Sequence, residues 1–282
     1  TTEIAAMKPL IIALLMFVIS NATFGADRIS LQGALMPGGL VTGKAAPGSK
    51  VSHQGKFVRT SPDGVFVLGF GRDAHQDQTI TILDINGFTY SQDIKLKDRN
   101  YKVTRIDGLP KRKVTPRPKD IKRIKIENAG IAKVRQLDTI EQNFLAGFQW
   151  PTLGRISGVF GSQRILNGKP RSPHNGIDIA APKGTPVLAT AAGTVALVHQ
   201  DMFYSGKTVM IDHGHGLSSV YIHMRTITVK KEQNVNKSDK IGTVGMTGRA
   251  TGPHLHWGIS LFGTHLDPML IVTGQTGVET TY

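Results

Sequence analysis

The chain carries one stretch, His254-Leu255-His256-Trp257-Gly258-Ile259, in which polar and apolar side chains alternate as they do in a β-strand. Because side chains along a strand have a period of two, His254 and His256 are expected to point to the same face, with Leu255 buried behind them. Two imidazoles on one face can serve a single pocket. The stretch therefore predicts a strand whose two histidines contribute to a functional site.

A second stretch, far earlier in the chain, supplies the other side chains of a metal site. It reads His174-Asn175-Gly176-Ile177-Asp178, and its glycine and isoleucines predict a turn that enters a strand. With one of the two later histidines, His174 and Asp178 give two imidazoles and a carboxylate. This is the ligand set of a hydrolytic zinc site, which keeps one position open for water. The other histidine would then face substrate.

Several other kinds of hydrolase are excluded or unsupported by motif. The sequence has no His-Glu-x-x-His pattern, which excludes a thermolysin-type zinc site, and no Gly-x-Ser-x-Gly pattern to support a serine nucleophile. Cysteine is absent, so neither disulfides nor thiolate chemistry are available. The prediction of a zinc hydrolase therefore depends on the two imidazoles and the carboxylate described above.

The composition favours a turn-rich, mostly β protein with a polyanionic neighbour. Among 282 residues there are 32 Gly and 14 Pro, with 39% hydrophobic and only 19% charged residues. The formal net charge of +14 implies contact with a polyanion, for which nucleic acid, an acidic cell-wall polymer and an anionic membrane surface are the candidates.

The organisation along the chain predicts four segments. Lys8 precedes an apolar run and then the small residues Ser20-Asn21-Ala22, which is the layout of a secretory signal, with Met7 as the expected start. The apolar run is too short for a comfortable membrane span. The predicted ranges are a signal peptide at 1–26, an accessory β-sandwich-like domain at 27–110, a basic linker with an amphipathic helix at 111–148, and a second β domain at 149–282.

The basic linker is marked by a concentration of charge. Residues 95–135 hold fifteen of the 34 Lys and Arg residues, against four Asp or Glu. After Pro118, isoleucine, valine and leucine recur near helical spacing, which predicts one helix with a cationic face. Such a helix either joins two domains as a solvated connector or holds the protein against an anionic envelope polymer.

Three ordered motifs of the second β domain resemble those of the M23 peptidases, the lysostaphin- and LytM-like cell-wall endopeptidases. The motifs are Gly158-Val159-Phe160-Gly161-Ser162-Gln163-Arg164 followed by Pro173-His174-Asn175-Gly176-Ile177-Asp178-Ile179-Ala180-Ala181-Pro182, then Val220-Tyr221-Ile222-His223-Met224, and then Gly245-Met246-Thr247-Gly248-Arg249-Ala250-Thr251-Gly252-Pro253-His254-Leu255-His256-Trp257. The resemblance implies that 149–282 is an M23 zinc peptidase domain with a LytM-like antiparallel β-sheet.

The resemblance also implies roles for five residues. It places one Zn²⁺ on His174, Asp178 and His256, and it makes His223 and His254 the catalytic pair opposite the metal. All five positions hold the residue that the pattern requires. Relatives that only activate other enzymes have lost metal ligands, which this chain has not.

The function implied by the resemblance is that of an exported zinc-dependent endopeptidase. Its expected substrate is peptidoglycan, its mechanism uses metal-activated water, and its expected bond is the D-alanyl–diaminopimelate cross-link, with polyglycine as the alternative within the family. The expected location is the periplasm or cell envelope of a Gram-negative bacterium. A non-catalytic LytM-type activator or scaffold remains open, while a basic nucleic-acid-binding protein is disfavoured by the export signal and the 6% aromatic content.

The other candidate residues are expected to have lesser roles. His213 is predicted to be structural or to support the site, His215 to be exposed, and His199 and His265 to be ordinary surface or packing residues. Arg164 and Asn167, which lie just before the first ligand, either line the substrate groove or are structural. The isolated His53 and His75 are predicted to be surface residues.

Overall fold

Strands dominate the chain in a computed structural model that describes residues 29–272. Strands account for 44% of the described residues and helices for 12%, which confirms the mostly β prediction. The predicted signal segment at 1–26 lies outside the described residues. No helix within 29–272 combines the length and the apolar character needed to span a membrane.

The first seven strands form two antiparallel sheets with a shared apolar core. The strands are β1 (Ser30–Gly33), β2 (Leu40–Lys44), β3 (Lys50–His53), β4 (Lys56–Val58), β5 (Val65–Gly69), β6 (Asp77–Leu83) and β7 (Thr89–Lys95). One sheet has the order β1-β2-β5 and the other β4-β3-β6-β7. Val41 and Phe66 from the first sheet pack with Val51, Ile80 and Ile82 from the second. Each sheet turns one face towards this core. The other face of the β1-β2-β5 sheet is also partly buried, because Leu40 and Val67 belong to the apolar core of the later strands.

A connecting region follows, with one strand and two helices. These are β8 (Val103–Ile106), α1 (Lys111–Val114) and α2 (Pro118–Arg135). The first turn of α2 has Pro118 at its first position and Asp120, whose carboxylate binds Arg112 and Arg117, near its N-terminus. Val134 of this helix packs against Met210 and Val220.

The remaining strands carry the histidine-rich part of the chain. They are β9 (Arg155–Gly158), β10 (Gln163–Leu166), β11 (Lys169–Arg171), β12 (Ile177–Ala180), β13 (Pro186–Leu188), β14 (Gly193–Met202), β15 (Gly206–Gly214), β16 (Leu217–Met224), β17 (Thr226–Ile227), β18 (Asn234–Val235), β19 (Lys240–Thr243), β20 (His254–Leu261) and β21 (Thr264–Leu266), followed by the short helix α3 (Pro268–Ile271). A 3₁₀ turn at Asn143–Ala146 precedes them.

These strands form one large antiparallel sheet and two small sheets. The large sheet has the order β18-β14-β15-β16-β20-β12-β9, with β21 paired to β20. One small sheet has the order β13-β19-β17. The other, β11-β10-β8, includes β8, which pairs in parallel with β10 although it lies inside the range predicted for the accessory domain. The chain before residue 110 therefore contributes directly to the histidine-rich region.

The register of the three strands β12, β20 and β16 decides which side chains share a face. Ile177, Trp257 and Tyr221 are directly paired across them, and all three are fully buried in the main core. The next row pairs Asp178 with His256, which is paired in turn with Ile222. Because successive side chains alternate between the faces of a sheet, this second row lies on the face opposite the main core.

A chain of hydrogen bonds connects the buried polar groups around Tyr221, on the core side of the large sheet. The backbone N–H of Thr190 donates to the Tyr221 hydroxyl at 2.9 Å. That hydroxyl lies 3.0 Å from the hydroxyl of Ser219, which lies 2.8 Å from Nε2 of His213. The ring of His213 completes the chain by donating from Nδ1 to the Ala192 carbonyl. The polar atoms of this buried region therefore satisfy one another.

Replacement of Tyr221 by Phe is expected to destabilise the protein by roughly 1–3 kcal/mol, because it leaves the buried N–H of Thr190 without an acceptor. Denaturant unfolding measures the change. Tyr90→Phe is the matched control, since Tyr90 is half-buried and its hydroxyl makes no hydrogen bond within residues 29–272. Equal stability of the two variants would contradict this account.

Candidate metal centre and catalytic pocket

Three potential metal ligands converge at the ends of β12 and β20. His174 precedes β12, Asp178 lies within it, and His256 lies on β20 directly opposite Asp178. The Oδ1 atom of Asp178 lies 3.0 Å from Nε2 of His174 and 2.8 Å from Nδ1 of His256, and these two nitrogens are 2.8 Å apart. The ligand atoms of the three residues lie within 4.8 Å of one another. The structure thus brings together the three residues predicted to bind zinc.

The donor set fits a zinc ion. Two imidazole nitrogens and one carboxylate oxygen are the ligand types of a catalytic zinc site, which needs three protein ligands and one open position. Nδ1 of His174 donates to the Val159 carbonyl at 3.0 Å, which leaves the Nε2 lone pair directed at the other two donors. These are the residues that would hold the metal.

The orientation of the Asp178 carboxylate depends on Arg164. Nη2 of Arg164 donates to Oδ2 of Asp178 at 2.6 Å, so Oδ1 is left for the two imidazoles. Burial alone would raise the pKa of Asp178, but the neighbouring His174 and His256 hold that pKa well below its usual range. The carboxylate is therefore ionised, as a metal ligand must be.

His223 reaches the same face through an unusual backbone conformation. Alternation along β16 would place it on the core side with Tyr221, but its φ of 64° lies in the left-handed region, which non-glycine residues rarely adopt. Its backbone N–H donates to the Ser205 carbonyl at 2.8 Å, and its ring Nδ1 donates to the Thr247 carbonyl at 2.7 Å. These contacts hold the conformation and leave Nε2 of His223 available to the pocket.

His254 is positioned in the same way. Its Nδ1 donates to the Gly252 carbonyl at 2.9 Å, and its Nε2 lies 3.9 Å from Oδ1 of Asp178. The rings of His254 and His223 are neighbours, with centroids 4.7 Å apart. Two imidazoles therefore lie beside the ligand group with Nε2 unoccupied by any of these hydrogen bonds, an arrangement suited to proton transfer.

Burial keeps two of these histidines uncharged. Burial and, to a smaller extent, the neighbouring His254 and His256 lower the pKa of His223 to about 3. Burial also lowers the pKa of His256 to about 4, against the opposing effect of Asp178. Both imidazoles are therefore neutral at neutral pH, the form in which an imidazole binds a metal or accepts a proton.

Three of the five residues, His174, His223 and His256, line a cavity of about 470 Å³. Arg164, Arg171, Arg249, Tyr204 and the segment 114–116 line it as well. That segment connects α1 to α2, so the connecting region forms part of the wall. Its contact is specific, because Nη2 of Arg171 donates to the Val114 carbonyl at 2.6 Å.

The other sequence-predicted residues have separate positions. Arg164 lines the cavity, whereas Asn167 is exposed and its side chain bonds the backbone of Leu109. His213 is fully buried and belongs to the chain of hydrogen bonds around Tyr221, which agrees with the structural role predicted for it. The prediction that His215 is exposed is wrong: it is buried and its ring packs against Phe144 at 5.3 Å. Two features bury the ring: the left-handed φ of 51° at His215, and the 3₁₀ turn at Asn143–Ala146, which contains Phe144.

The remaining predicted surface histidines also lie outside the cavity. His75 is exposed, and His53 is half-buried, where its Nε2 donates to the Gln78 side-chain oxygen at 2.7 Å. His199 and His265 are half-buried, and burial lowers the pKa of His265 to about 3.

Two glycines lie close to the ligands, although the sequence predicted only a turn at Gly176 and no role for Gly158. A methyl group at Gly158 would overlap Oδ2 of Asp178 and lie 3.0 Å from its Cγ. A methyl group at Gly176 would overlap the Trp257 carbonyl and lie 2.9 Å from Nε2 of His256. At both positions a neighbouring group lies too close for a side chain, whereas the backbone φ is one that other residues adopt. The only sequence signal was their place inside the first motif.

The comparisons with known proteins agree on one family. The sequence model described as "Peptidase family M23" matches residues 172–268. A crystal structure described as a candidate peptidase M23 from Pseudomonas aeruginosa superimposes with a TM-score of 0.65 and 30% identity, and the match covers 84% of this chain and 95% of that one.

Two curated relatives have names that describe activities. Peptidoglycan DD-endopeptidase ShyA of Vibrio cholerae is 33% identical over 226 residues, which are 73% of this chain and 51% of ShyA. DD-carboxypeptidase/endopeptidase Mpg of Neisseria meningitidis is 42% identical over 117 residues, which are 42% of this chain and 27% of Mpg. The chain therefore spans about half of the first relative and about a quarter of the second.

Replacement of Gly158 by Ala is expected to weaken zinc binding by roughly 10- to 100-fold, because the added methyl group displaces the Asp178 carboxylate. Competition against a chromogenic chelator measures the affinity. Gly252→Ala is the matched control, since a methyl group at Gly252 meets nothing within 4 Å. Unchanged affinity in Gly158→Ala would show that the carboxylate has room to move.

Proposed function

The chain belongs to peptidase family M23, and we propose that it is a zinc-dependent endopeptidase that cuts peptide bonds of peptidoglycan stem peptides. The observation that carries the proposal is the convergence of His174, Asp178 and His256 beside the neighbouring rings of His223 and His254, next to a cavity that His174, His223 and His256 line. The name of ShyA supports peptidoglycan as substrate, and the DD-endopeptidase and DD-carboxypeptidase/endopeptidase activities in the two names support cleavage between D-configured residues. The bond that we propose is the D-alanyl–diaminopimelate cross-link, which the family resemblance implies.

The role of each histidine follows from which of its ring nitrogens is not used in a hydrogen bond to the backbone. His174, Asp178 and His256 would hold the metal, and zinc bound there would supply Lewis acidity to a peptide carbonyl and to a water. Arg164 holds the unused oxygen of Asp178 and so fixes the carboxylate. The rings of His174 and His256 turn their free nitrogens towards the same point.

Proton transfer belongs to His223 and His254. Each ring donates its Nδ1–H to a backbone carbonyl, so in the neutral ring the free lone pair lies on Nε2. One of the two accepts a proton from the attacking water and delivers it to the leaving amine. The other binds a proton from bulk solvent at Nε2, donates that N–H to the developing oxyanion, and returns the proton to solvent after the peptide bond has broken.

We expect His223→Ala and His254→Ala to retain zinc and to lose roughly 10²–10⁴-fold in turnover, because each removes proton transfer and not a ligand. His256→Ala should lose the metal. Zinc content by atomic absorption and turnover on a purified cross-linked muropeptide provide the two measurements, and exposed His75→Ala is the control. A metal-free His254→Ala beside a metal-loaded His256→Ala would reverse the roles.

Purified Gram-negative sacculi test the activity itself. The protein should convert cross-linked dimers to monomers, the activity should stop with a chelator, and it should return with zinc. Mass spectrometry of the released muropeptides identifies the bond. Binding to sacculi without hydrolysis, at full zinc loading, would reject the peptidase proposal in favour of a scaffold.

Location and envelope contact are further parts of this proposal. The substrate requires export, which the predicted segment at 1–26 would provide. Five lysines on α1 and α2 are exposed, namely Lys111, Lys119, Lys122, Lys125 and Lys133. Such a cationic surface suits an anionic envelope polymer, to which binding would weaken as salt increases.

A further inference from the structure

The turn between β14 and β15, at residues 203–205, forms part of the catalytic cavity and supports one of its histidines. Tyr204 and Ser205 of this turn line the cavity. The Ser205 carbonyl accepts the backbone N–H of His223 at 2.8 Å, at the residue whose φ of 64° brings its ring to the site. The position of the 203–205 turn therefore affects where the His223 ring lies.

The second support of His223 also depends on this part of the chain. Nδ1 of His223 donates to the Thr247 carbonyl at 2.7 Å. The hydroxyl of Thr247 accepts the backbone N–H of Lys207, two residues beyond the turn, at 2.9 Å. A left-handed φ at a non-glycine residue is unfavourable and persists only where the surrounding contacts fix it. Both contacts that fix His223 involve the segment 203–207 directly or through Thr247.

Two neighbouring side chains of α2 contact the same turn. Arg123 and Glu127 lie one helical turn apart, and Nε of Arg123 donates to Oε1 of Glu127 at 2.6 Å. Oε2 of Glu127 accepts the backbone N–H of Phe203 at 2.7 Å. Nη2 of Arg123 donates to the Asp201 carbonyl and lies 3.2 Å from Oδ2 of Asp201. The helix therefore holds the chain just before the turn and at its first residue.

The carboxylate of Glu127 differs from an ordinary surface charge. Its side chain is only 9% exposed, and a carboxylate at such a depth needs partners that replace the water it has lost. The Arg123 guanidinium supplies the opposite charge, and the Phe203 N–H supplies a charge-assisted hydrogen bond. Both carboxylate oxygens are therefore in use, one within the helix and one at the turn.

We propose that Glu127 is a positioning residue for catalysis, which acts through the 203–205 turn to hold the His223 ring beside the ligand group. The inference rests on the proposed function and deepens it, since it assigns part of the proton-transfer geometry to α2. Proton transfer requires the two heavy atoms to lie within hydrogen-bond reach, so a small displacement of Nε2 of His223 lowers turnover. This role differs from the solvated connector and the envelope contact that the sequence predicts for the helix.

A double-mutant cycle in the full-length, zinc-loaded protein tests this role. Glu127→Ala should lower kcat on a cross-linked muropeptide by roughly 10- to 100-fold, with zinc content unchanged, because the His223 ring is displaced and the ligands are not. In a His223→Ala background the same substitution should lower kcat by less than roughly twofold, because no ring remains to be misplaced. Partial unfolding would lower kcat by the same factor in both backgrounds. Equal factors would therefore overturn the proposal.

Two further variants complete the cycle. Asn128→Ala is the matched control, since Asn128 is the exposed neighbour of Glu127 on α2, and it should keep kcat in both backgrounds. Arg123→Ala gives the same test if Glu127→Ala fails to fold, because the Arg123 side chain is 44% exposed and its loss is better tolerated. It should lower kcat by roughly 2- to 10-fold where His223 is present and not where His223 is absent.

The Nδ1–H of His223 provides a readout that needs no substrate. His223 is 7% exposed and this N–H is hydrogen-bonded, so its NMR signal should exchange slowly with solvent, and the signal is identified by its loss in His223→Ala. In zinc-loaded, ¹⁵N-labelled Glu127→Ala the exchange should be faster by roughly tenfold or more, while Asn128→Ala should match the wild-type protein.

The two measurements separate this inference from the proposed function. An unchanged exchange rate in both Glu127→Ala and Arg123→Ala would overturn the positioning role, even where turnover falls. A wild-type protein that cleaves no muropeptide would refute the proposed function, whereas the exchange of the His223 N–H would still test the role of Glu127. Normal turnover in Glu127→Ala would leave the proposed function intact and refute the positioning role.

Discussion

The pairing register of three neighbouring strands is the constraint on which the site depends. Ile177, Trp257 and Tyr221 lie in one buried row, and this row places Asp178 directly opposite His256 on the other face. A slip of one residue would exchange the two faces, which would expose the large aromatic side chains and bury the ligands. The apolar core therefore fixes the position of the metal ligands more firmly than the ligands themselves do.

Backbone carbonyls set the direction of three of the four imidazoles. His174, His223 and His254 each donate from Nδ1 to a carbonyl, which selects one tautomer and turns Nε2 towards the cavity. In many zinc sites a carboxylate has this supporting role. Here the supporting acceptors are neutral, so they add no negative charge to the cavity.

Sequence alone predicted the mostly β fold and the shared face of His254 and His256, because both follow from local alternation. It named His174, Asp178 and His256 together, and the structure brings them together, while their roles stay predictions. Alternation could not reveal that His223 leaves its expected face through a left-handed φ. Nor could it show the burial of His215, which depends on a distant turn.

The parallel pairing of β8 with β10 limits how this protein can be divided. β10 carries Arg164, which holds Asp178, and the segment at 114–116 forms part of the cavity wall. A shortened protein that begins at α2 would lose β8, an edge partner of β10, as well as that wall segment. A change in its activity would then combine two effects, namely damage to the catalytic region and removal of the N-terminal residues. A faithful minimal enzyme must therefore start upstream of residue 103, well before the first ligand.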